Sequence, residues 1–394
     1  MMFPKKPNKI KPVYLDNAAA TPTDLTVVKA MKKAGYYNPS ALYAGAVKER
    51  EKIDRARYEV AQVLGTQPDT IIFTGSGTES INLALLGTAR KHKAQGRHII
   101  TTKVEHHAVL HTMQKLEAEG FRVTYLGVSQ AGKIDRADFN QALRRDTILV
   151  SIMYANNEIG NIYPIADIGR EILKWRKRNK TKYPYFHGDA CQAGTLNLDT
   201  RKLHVDLLTL NGSKIYGPKG VGVFYKRRGV IIEPIMSGGG QEYGLRPGTE
   251  NSAAILGLTR ALHLIQKNKN KINKQTAKLR NYFWRELRKR LPDIRLVGAD
   301  LDSGERLDNH LSIVFPGVEA ETLLLYLDSF GIMASSGSAC ALDTDEVSHV
   351  LIACGLKPSL ARSAVRFTLG KDTKKSEIDY VLKYLPKIVM ALRN

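Results

Sequence analysis

The chain has 394 residues, 60 Lys+Arg against 38 Asp+Glu, and a formal net charge of +22. With 43% hydrophobic and 25% charged residues it is not a disordered chain, and its length allows two domains with large buried cores. No apolar run approaches the ~18 residues of a membrane-spanning helix, and three cysteines without a C-x-x-C pair exclude a disulfide framework.

In chain order, the first residues, MMFPKKPNKIKP, are basic without an apolar h-region, so no secretory signal is expected. The cysteine usage suits a reducing compartment, and a cytoplasmic location without membrane attachment follows as the expectation. Short runs rich in β-branched residues then alternate with amphipathic stretches. The predicted strands are Ile71–Thr74, His98–Thr102, Arg122–Leu126, Ile148–Met153, Tyr183–His187, Val205–Leu210 and Val221–Tyr225. Predicted helices Ser76–Ala94, Ala108–Glu119 and Ile165–Arg178 lie between them. This is the pattern of an α/β fold: a large domain with a mostly parallel seven-stranded sheet flanked by helices. Beyond about Asn251 a long helical stretch reaches about Leu291, followed by strands near Leu311–Phe315 and Val365–Phe367 and a last helix from about Lys375. That part reads as a smaller α+β domain. We expect residues 14–255 to form the large domain, and 1–13 with 256–394 the small one, with a helix crossing the boundary.

Ligands of an open parallel sheet bind beyond the carboxyl ends of its strands, and the unusual sequences sit there. Gly75-Ser76-Gly77-Thr78-Glu79 opens a helix and suits a single phosphate, since glycines and a helix N-terminus favour an anion. It matches neither the Walker A loop nor G-x-G-x-x-G. A glycine-rich N-cap is the structural alternative. His106 follows the second strand and is a candidate for ring stacking or proton transfer. His107 and His111 share a helix face, but no carboxylate or Cys at ligand spacing joins them, so no metal site is expected. Asn156 and Asn157 at the fourth strand end suit a carboxylate or ring substituent, or a turn. Asp189, in Gly188-Asp189-Ala190-Cys191-Gln192, is placed to hold a protonated pyridine nitrogen or to cap a helix. Lys214, in a Gly/Pro-rich segment after the sixth strand, is a candidate nucleophile toward an aldehyde. A phosphate loop, a stacking His, a ring-nitrogen Asp and an aldehyde-capturing Lys together describe pyridoxal phosphate.

The motifs YLDNAAATP, FTGSGTESINLAL, VEHHAVL, ILVSIMYANNEIG, HGDACQ, NGSKIYGPKGVGVFY, GGGQEYGLRPGTEN, SSGSAC and VRFTLG occur in that order over nearly the whole chain. In this the chain resembles the cysteine desulfurases, a branch of the class V aminotransferases among fold-type I pyridoxal-phosphate enzymes. The resemblance implies that Lys214 bonds the cofactor aldehyde and shuttles the Cα proton. It implies that Asp189 pairs with the ring nitrogen, Gln192 contacts the ring hydroxyl and His106 stacks on the ring. Gly77 and Thr78 would bind the phosphate, with Asn211 and Ser213 helping. Thr249 would reach the phosphate of the other subunit, so a homodimer is implied. Arg366, assisted by Asn157, would hold the substrate carboxylate. Cys340 matches the nucleophile that takes sulfur from L-cysteine as a persulfide, leaving L-alanine. A sulfur-acceptor protein follows as partner, an iron–sulfur scaffold or a tRNA-thiolation enzyme. Cys191 and Cys354 are read as packing residues.

Two segments depart from the family pattern. Asn211-Gly212-Ser213-Lys214 replaces the usual Ser-Gly-His-Lys, and Ala341-Leu342-Asp343-Thr344-Asp345 replaces a Ser/Thr-rich run after the cysteine. The competing readings are a selenocysteine lyase or aminotransferase of the same family, and a weakly active scaffold that binds protein or tRNA. Basic clusters at Lys174–Lys182 and Lys267–Arg290 leave direct contact with nucleic acid open.

Overall fold

The computed structural model describes residues 4–337 and 347–393. Its first strand, β1 (Val13–Tyr14), precedes helices α1 (Leu25–Met31) and α2 (Ala44–Leu64). The units that follow alternate strand and helix: β2 (Ile71–Thr74), α3 (Gly77–His92), β3 (His98–Thr102), α4 (His107–Ala118), β4 (Arg122–Leu126), α5 (Arg136–Ala142) and β5 (Thr147–Met153). Next come α6 (Ile165–Asn179), β6 (Tyr185–Asp189), α7 (Thr200–Leu203), β7 (Leu207–Asn211) and β8 (Gly222–Lys226).

Strands β2 to β8 form one sheet in the order β2-β8-β7-β6-β5-β3-β4. The pairs β7–β6, β6–β5, β5–β3 and β3–β4 are parallel. Strand β8 runs antiparallel to both its neighbours, β2 and β7. So β2 points the same way as the parallel set, and only β8 is reversed. Alternate residues of each strand enter opposite layers. Ile71 and Phe73 pack in the layer with α2, α6 and α8 residues, whereas Ile72 packs in the layer with α3 and α4. A sheet covered on both faces accounts for strands that read as continuous apolar runs.

Helix α8 (Ser252–Arg290) runs through both cores. Ala254 to Ile265 pack on the large sheet, and Phe283 and Leu287 pack in the second core. That second core covers an antiparallel sheet, β12-β13-β10-β9, of β9 (Arg295–Leu296), β10 (His310–Val314), β12 (Ser335–Ser336) and β13 (Ala364–Thr368). Helices α9 (Ala320–Asp328) and α12 (Lys375–Leu392) bury Leu323, Leu327, Leu385 and Ile388 against it. β1 pairs in parallel with β11 (Ile332–Met333), which brings Val13 and Leu15 into the same core. Short helices α10 (His349–Ala353) and α11 (Pro358–Ala361) lead into β13.

The predicted strands agree with the observed ones to within two residues. The largest shift is at β6, expected from Tyr183 and observed from Tyr185. Pro184 precedes it and has no N–H to give to a ladder, so pairing begins one residue later. As a result Asp189 is the last residue of the strand, not a residue of the turn after it. Among the described residues no helix is long and apolar enough to cross a membrane.

One buried ion pair fastens the segment after β8 to the sheet. The Arg57 guanidinium on α2 donates to both carboxylate oxygens of Glu242 at 2.7 Å and to the Ile71 carbonyl at 2.6 Å. Glu242 also accepts the Phe73 N–H at 2.8 Å. Both side chains are almost wholly buried, so losing one partner strands a charge in the interior. We expect Arg57→Leu to lower stability by about 3–5 kcal/mol, read as a fall in the urea midpoint; an unchanged midpoint would show that the pair is not needed.

Candidate active site

The loops after β2, β3, β5, β6 and β7 all lie at one edge of the sheet because those strands share a direction. After β2, Ser76 caps α3 by accepting the Glu79 N–H at 3.1 Å. Glu79 accepts the Gly75 N–H at 2.7 Å and holds Arg246 at 3.0 Å. With Glu79 turned to these partners, the first-turn N–H groups of Gly77 and Thr78 have no intrahelical acceptor. Gly77 is required by close packing: a Cβ there would lie 2.7 Å from Cys191 Sγ and 3.3 Å from Asn211 Cβ. This contact sets the β6 and β7 loops against the helix N-terminus. The Asn211 side chain accepts from both the N–H and the hydroxyl of Ser213 at 3.3 Å. Neutral donors and a helix N-terminus are a donor set that fits an anion.

Asp189 is buried and accepts the Cys191 N–H at 3.0 Å. The Lys214 ammonium donates to the Ala19 carbonyl. Gln192 donates to the Ala18 carbonyl at 2.9 Å, so both residues meet the segment 16–21. His106 caps α4, its Nδ1 accepting the Ala108 N–H at 3.0 Å, which leaves the ring proton on Nε2. Burial pushes the His106 imidazole below its ordinary value; Asp189 opposes that push, and Lys214 with His107 and His111 adds to it. His106 is therefore neutral at neutral pH while remaining within electrostatic reach of both Asp189 and Lys214. A cavity of about 40 Å³ runs behind Lys214 and is lined by Asn17, Gln192, Thr276, Asn309 and His310.

Arg366, in β13, is buried and donates to Asp16 at 2.7 Å and to the Asn157 carbonyl at 2.9 Å. His310 reaches the same carbonyl at 3.1 Å. It is thus the backbone of Asn157, not its amide, that touches Arg366. Arg366 Nε and His310 Nδ1 are buried without a hydrogen-bond partner among the described residues. Unmet polar atoms beside a fixed guanidinium suit a ligand carboxylate. Thr249 is exposed and joins none of these contacts within the chain, although Arg246, three residues before it, is tied to Glu79.

Cys340 lies outside the described residues; both ends of the segment that carries it are placed. A Cβ on Gly337 would lie 2.5 Å from Glu158 Oε2, and the Ser348 hydroxyl donates to the same oxygen at 2.5 Å. Glu158 therefore touches the chain on either side of the cysteine segment. Burial raises its carboxyl to about 7, against the opposing pull of Ser348 and Arg366. Glu105, buried between Thr102 and the Met153 N–H, is raised to about 8 by burial. The sequence motif ANNEIG contains Glu158, but nothing local marks its partner, which is 190 residues away. Burial keeps the other two thiols protonated: Cys191 is raised well above its usual value, with Asp189 adding to the effect, and Cys354 is raised to about 11. Among the described residues no group of three His, Cys, Asp or Glu is arranged to hold a metal ion.

The Glu158 shift has a pH consequence with a definite sign. A carboxyl whose folded value lies above its unfolded 4.5 stabilises the fold less as pH rises from about 4.5 to 7. Glutamine stays neutral and has no such dependence. The difference in melting temperature between Glu158→Gln and the unmodified protein should therefore move in favour of the variant from pH 5 to pH 8. The same difference at both pH values would mean that Glu158 is ionised in the fold throughout.

The sequence profile of the family described as Aminotransferase class-V matches residues 13–381. The chain is 43% identical over 388 residues to "Cysteine desulfurase IscS" of Clostridium botulinum, covering 98% of this chain and 96% of that protein. It is 44% identical over 386 residues to the protein of the same name from Dictyoglomus turgidum, covering 97% and 95%. Among solved structures, one titled "NIFS-LIKE PROTEIN" superposes with a TM-score of 0.89 at 36% identity, over 97% of this chain and 100% of that one. The chain belongs to the class-V aminotransferase family, among its cysteine desulfurases.

Proposed function

We propose that this protein converts L-cysteine to L-alanine with pyridoxal 5′-phosphate and receives the sulfur on Cys340 as a persulfide. The observation that carries the reading is the meeting of Lys214, Asp189 and His106 with the α3 N-terminus at one edge of the sheet. Enzymes of this family work with that cofactor, which, when bound, offers an aldehyde to Lys214 and a ring that draws electrons from the substrate Cα. Gly77, Thr78, Asn211 and Ser213 would hold its phosphate, and the buried Asp189 its protonated ring nitrogen. Gln192 would meet the ring hydroxyl and His106 the ring face. Asn and Ser at 211 and 213 replace the family's usual pair; Ser213 gives its N–H and hydroxyl to the Asn211 oxygen, and the Asn211 amide nitrogen would be the neutral donor turned to the anion.

The protein groups then divide the work. Arg366, held by Asp16 and the Asn157 carbonyl, binds the substrate carboxylate and fixes the orientation of Cα. The Lys214 amine takes the proton from Cα. His106, neutral with its proton on Nε2, stands in the same cleft as a second proton carrier. The Cys340 thiolate attacks the substrate sulfur. An S–S bond forms, the Cβ–S bond breaks with its electron pair moving to carbon, and protons complete L-alanine. Thiol plus L-cysteine gives persulfide plus L-alanine, so no outside oxidant is needed. Cys191 and Cys354 do not compete, because burial keeps them as thiols. The persulfide passes to a sulfur-acceptor protein, an iron–sulfur scaffold or a tRNA-thiolation enzyme in the cytoplasm. Exposed Tyr36, Leu42, Tyr43 and Tyr243 support a homodimer, in which Thr249 of the second copy completes the phosphate site.

Protein mixed with pyridoxal phosphate and L-cysteine should release alanine. Lys214→Ala should lose the visible absorbance of bound cofactor and at least about a hundredfold in rate. Cys340→Ala should keep the absorbance and lose alanine production. Normal alanine release by Cys340→Ala would overturn the nucleophile; retained reducible cofactor in Lys214→Ala would overturn the lysine.

A further inference from the structure

Between Asn251 and Arg285 the chain contains no Asp or Glu but eight Lys and Arg residues. Nearly all of that stretch lies in α8. The helix buries Leu258, Leu262, Ile265, Thr276 and Phe283 along one side. Arg260, Lys267, Lys271, Lys274 and Lys278 follow at intervals of seven, four, three and four residues and are exposed on the other. They form a stripe about 27 Å long at 1.5 Å per residue. None of the five makes an ion pair with another described residue, whereas Arg285, Lys289 and Arg290 at the far end of the helix share Glu286. The carboxylates that line a groove with Lys271, Asp24 and Asp372, are already paired with Lys371. At the other end, Arg260 and His263 line a groove with Lys33, Lys52, Arg55 and Glu59, whose carboxylate is already paired with Arg55.

The residues between these cations decide what kind of partner fits. Asn268, Asn270 and Gln275 are exposed there, and no large apolar side chain of α8 is exposed. Protein interfaces are depleted in Lys and centre on aromatic or aliphatic anchors, which this face lacks. Lysines and amides in a row are the groups that contact phosphate and sugar without reading bases. We propose that the exposed face of α8 binds the phosphate backbone of a nucleic-acid duplex, with Lys267, Lys271, Lys274 and Lys278 as its central contacts. This surface is separate from the cleft: it faces outward, while Ile265, Asn273 and Thr276 on other faces of the same helix line the cavity behind Lys214. Neither the proposal nor its test requires turnover.

Filter retention of a random-sequence DNA duplex of about 24 base pairs across a salt series tests it. The variant K267Q/K271Q/K274Q/K278Q should bind at least about tenfold more weakly near 100 mM salt, and its slope of log affinity against log salt should be shallower by about 3–4. A control with the same charge change at the exposed Lys115, Lys357, Lys383 and Lys387 should lose less than about threefold. Both variants should keep the melting temperature of the unmodified protein, which shows that they are folded. Equal losses in the two variants, or no retention by the unmodified protein at the lowest salt, would overturn the proposal. If a polyglutamate peptide depends on the stripe and the duplex does not, the face docks a protein and the assignment to nucleic acid falls.

Discussion

Six strands of the large sheet share one direction, and the chemistry of the cleft depends on that alignment. Each strand end releases its loop at the same edge, so residues as distant in sequence as Gly77, His106, Asp189 and Lys214 converge without any local signal to one another. The contact between Gly77 and the Cys191 and Asn211 side chains shows how tight this convergence is. The smaller domain adds Arg366 from a strand of its own sheet. Asp16, just after β1, reaches it from the N-terminal segment. The site is thus assembled from two cores that α8 and the N-terminal segment hold together.

The electrostatics of the cleft follow from burial more than from the count of charges. Glu105 and Glu158 are far enough from water to favour their protonated forms, and His106 its neutral form. The Arg366 guanidinium is faced by the Asp16 carboxylate at 2.7 Å. An interior of this kind holds the Arg366 and Asp16 charges as a matched pair. It also holds the two described thiols, Cys191 and Cys354, in their protonated forms.

Much of the fold was legible in the sequence, because strands in a doubly covered sheet are short apolar runs and their ends carry Gly, Asn and Asp. The motifs marked Lys214, Asp189 and His106 for the same reason: they interrupt apolar patterns where loops begin. What the sequence hid was pairing at long range. Nothing near Arg366 announces Asp16, nothing near Arg57 announces Glu242, and nothing near Glu158 announces Ser348. Such partners are chosen by tertiary packing, not by spacing. The reversal of β8 was equally hidden, since an apolar run has no direction. The charge of +22 gained a location only when the structure separated the buried and exposed sides of α8.

The central claim is that one thiol, Cys340, takes the sulfur while Cys191 and Cys354 stay inert. Peptide mapping by mass spectrometry, after brief exposure to pyridoxal phosphate and L-cysteine with no acceptor present, tests it most directly. The account predicts one added sulfur on the Cys340 peptide and none on the other two. Added sulfur on Cys191 or Cys354 with Cys340 unmodified would contradict it.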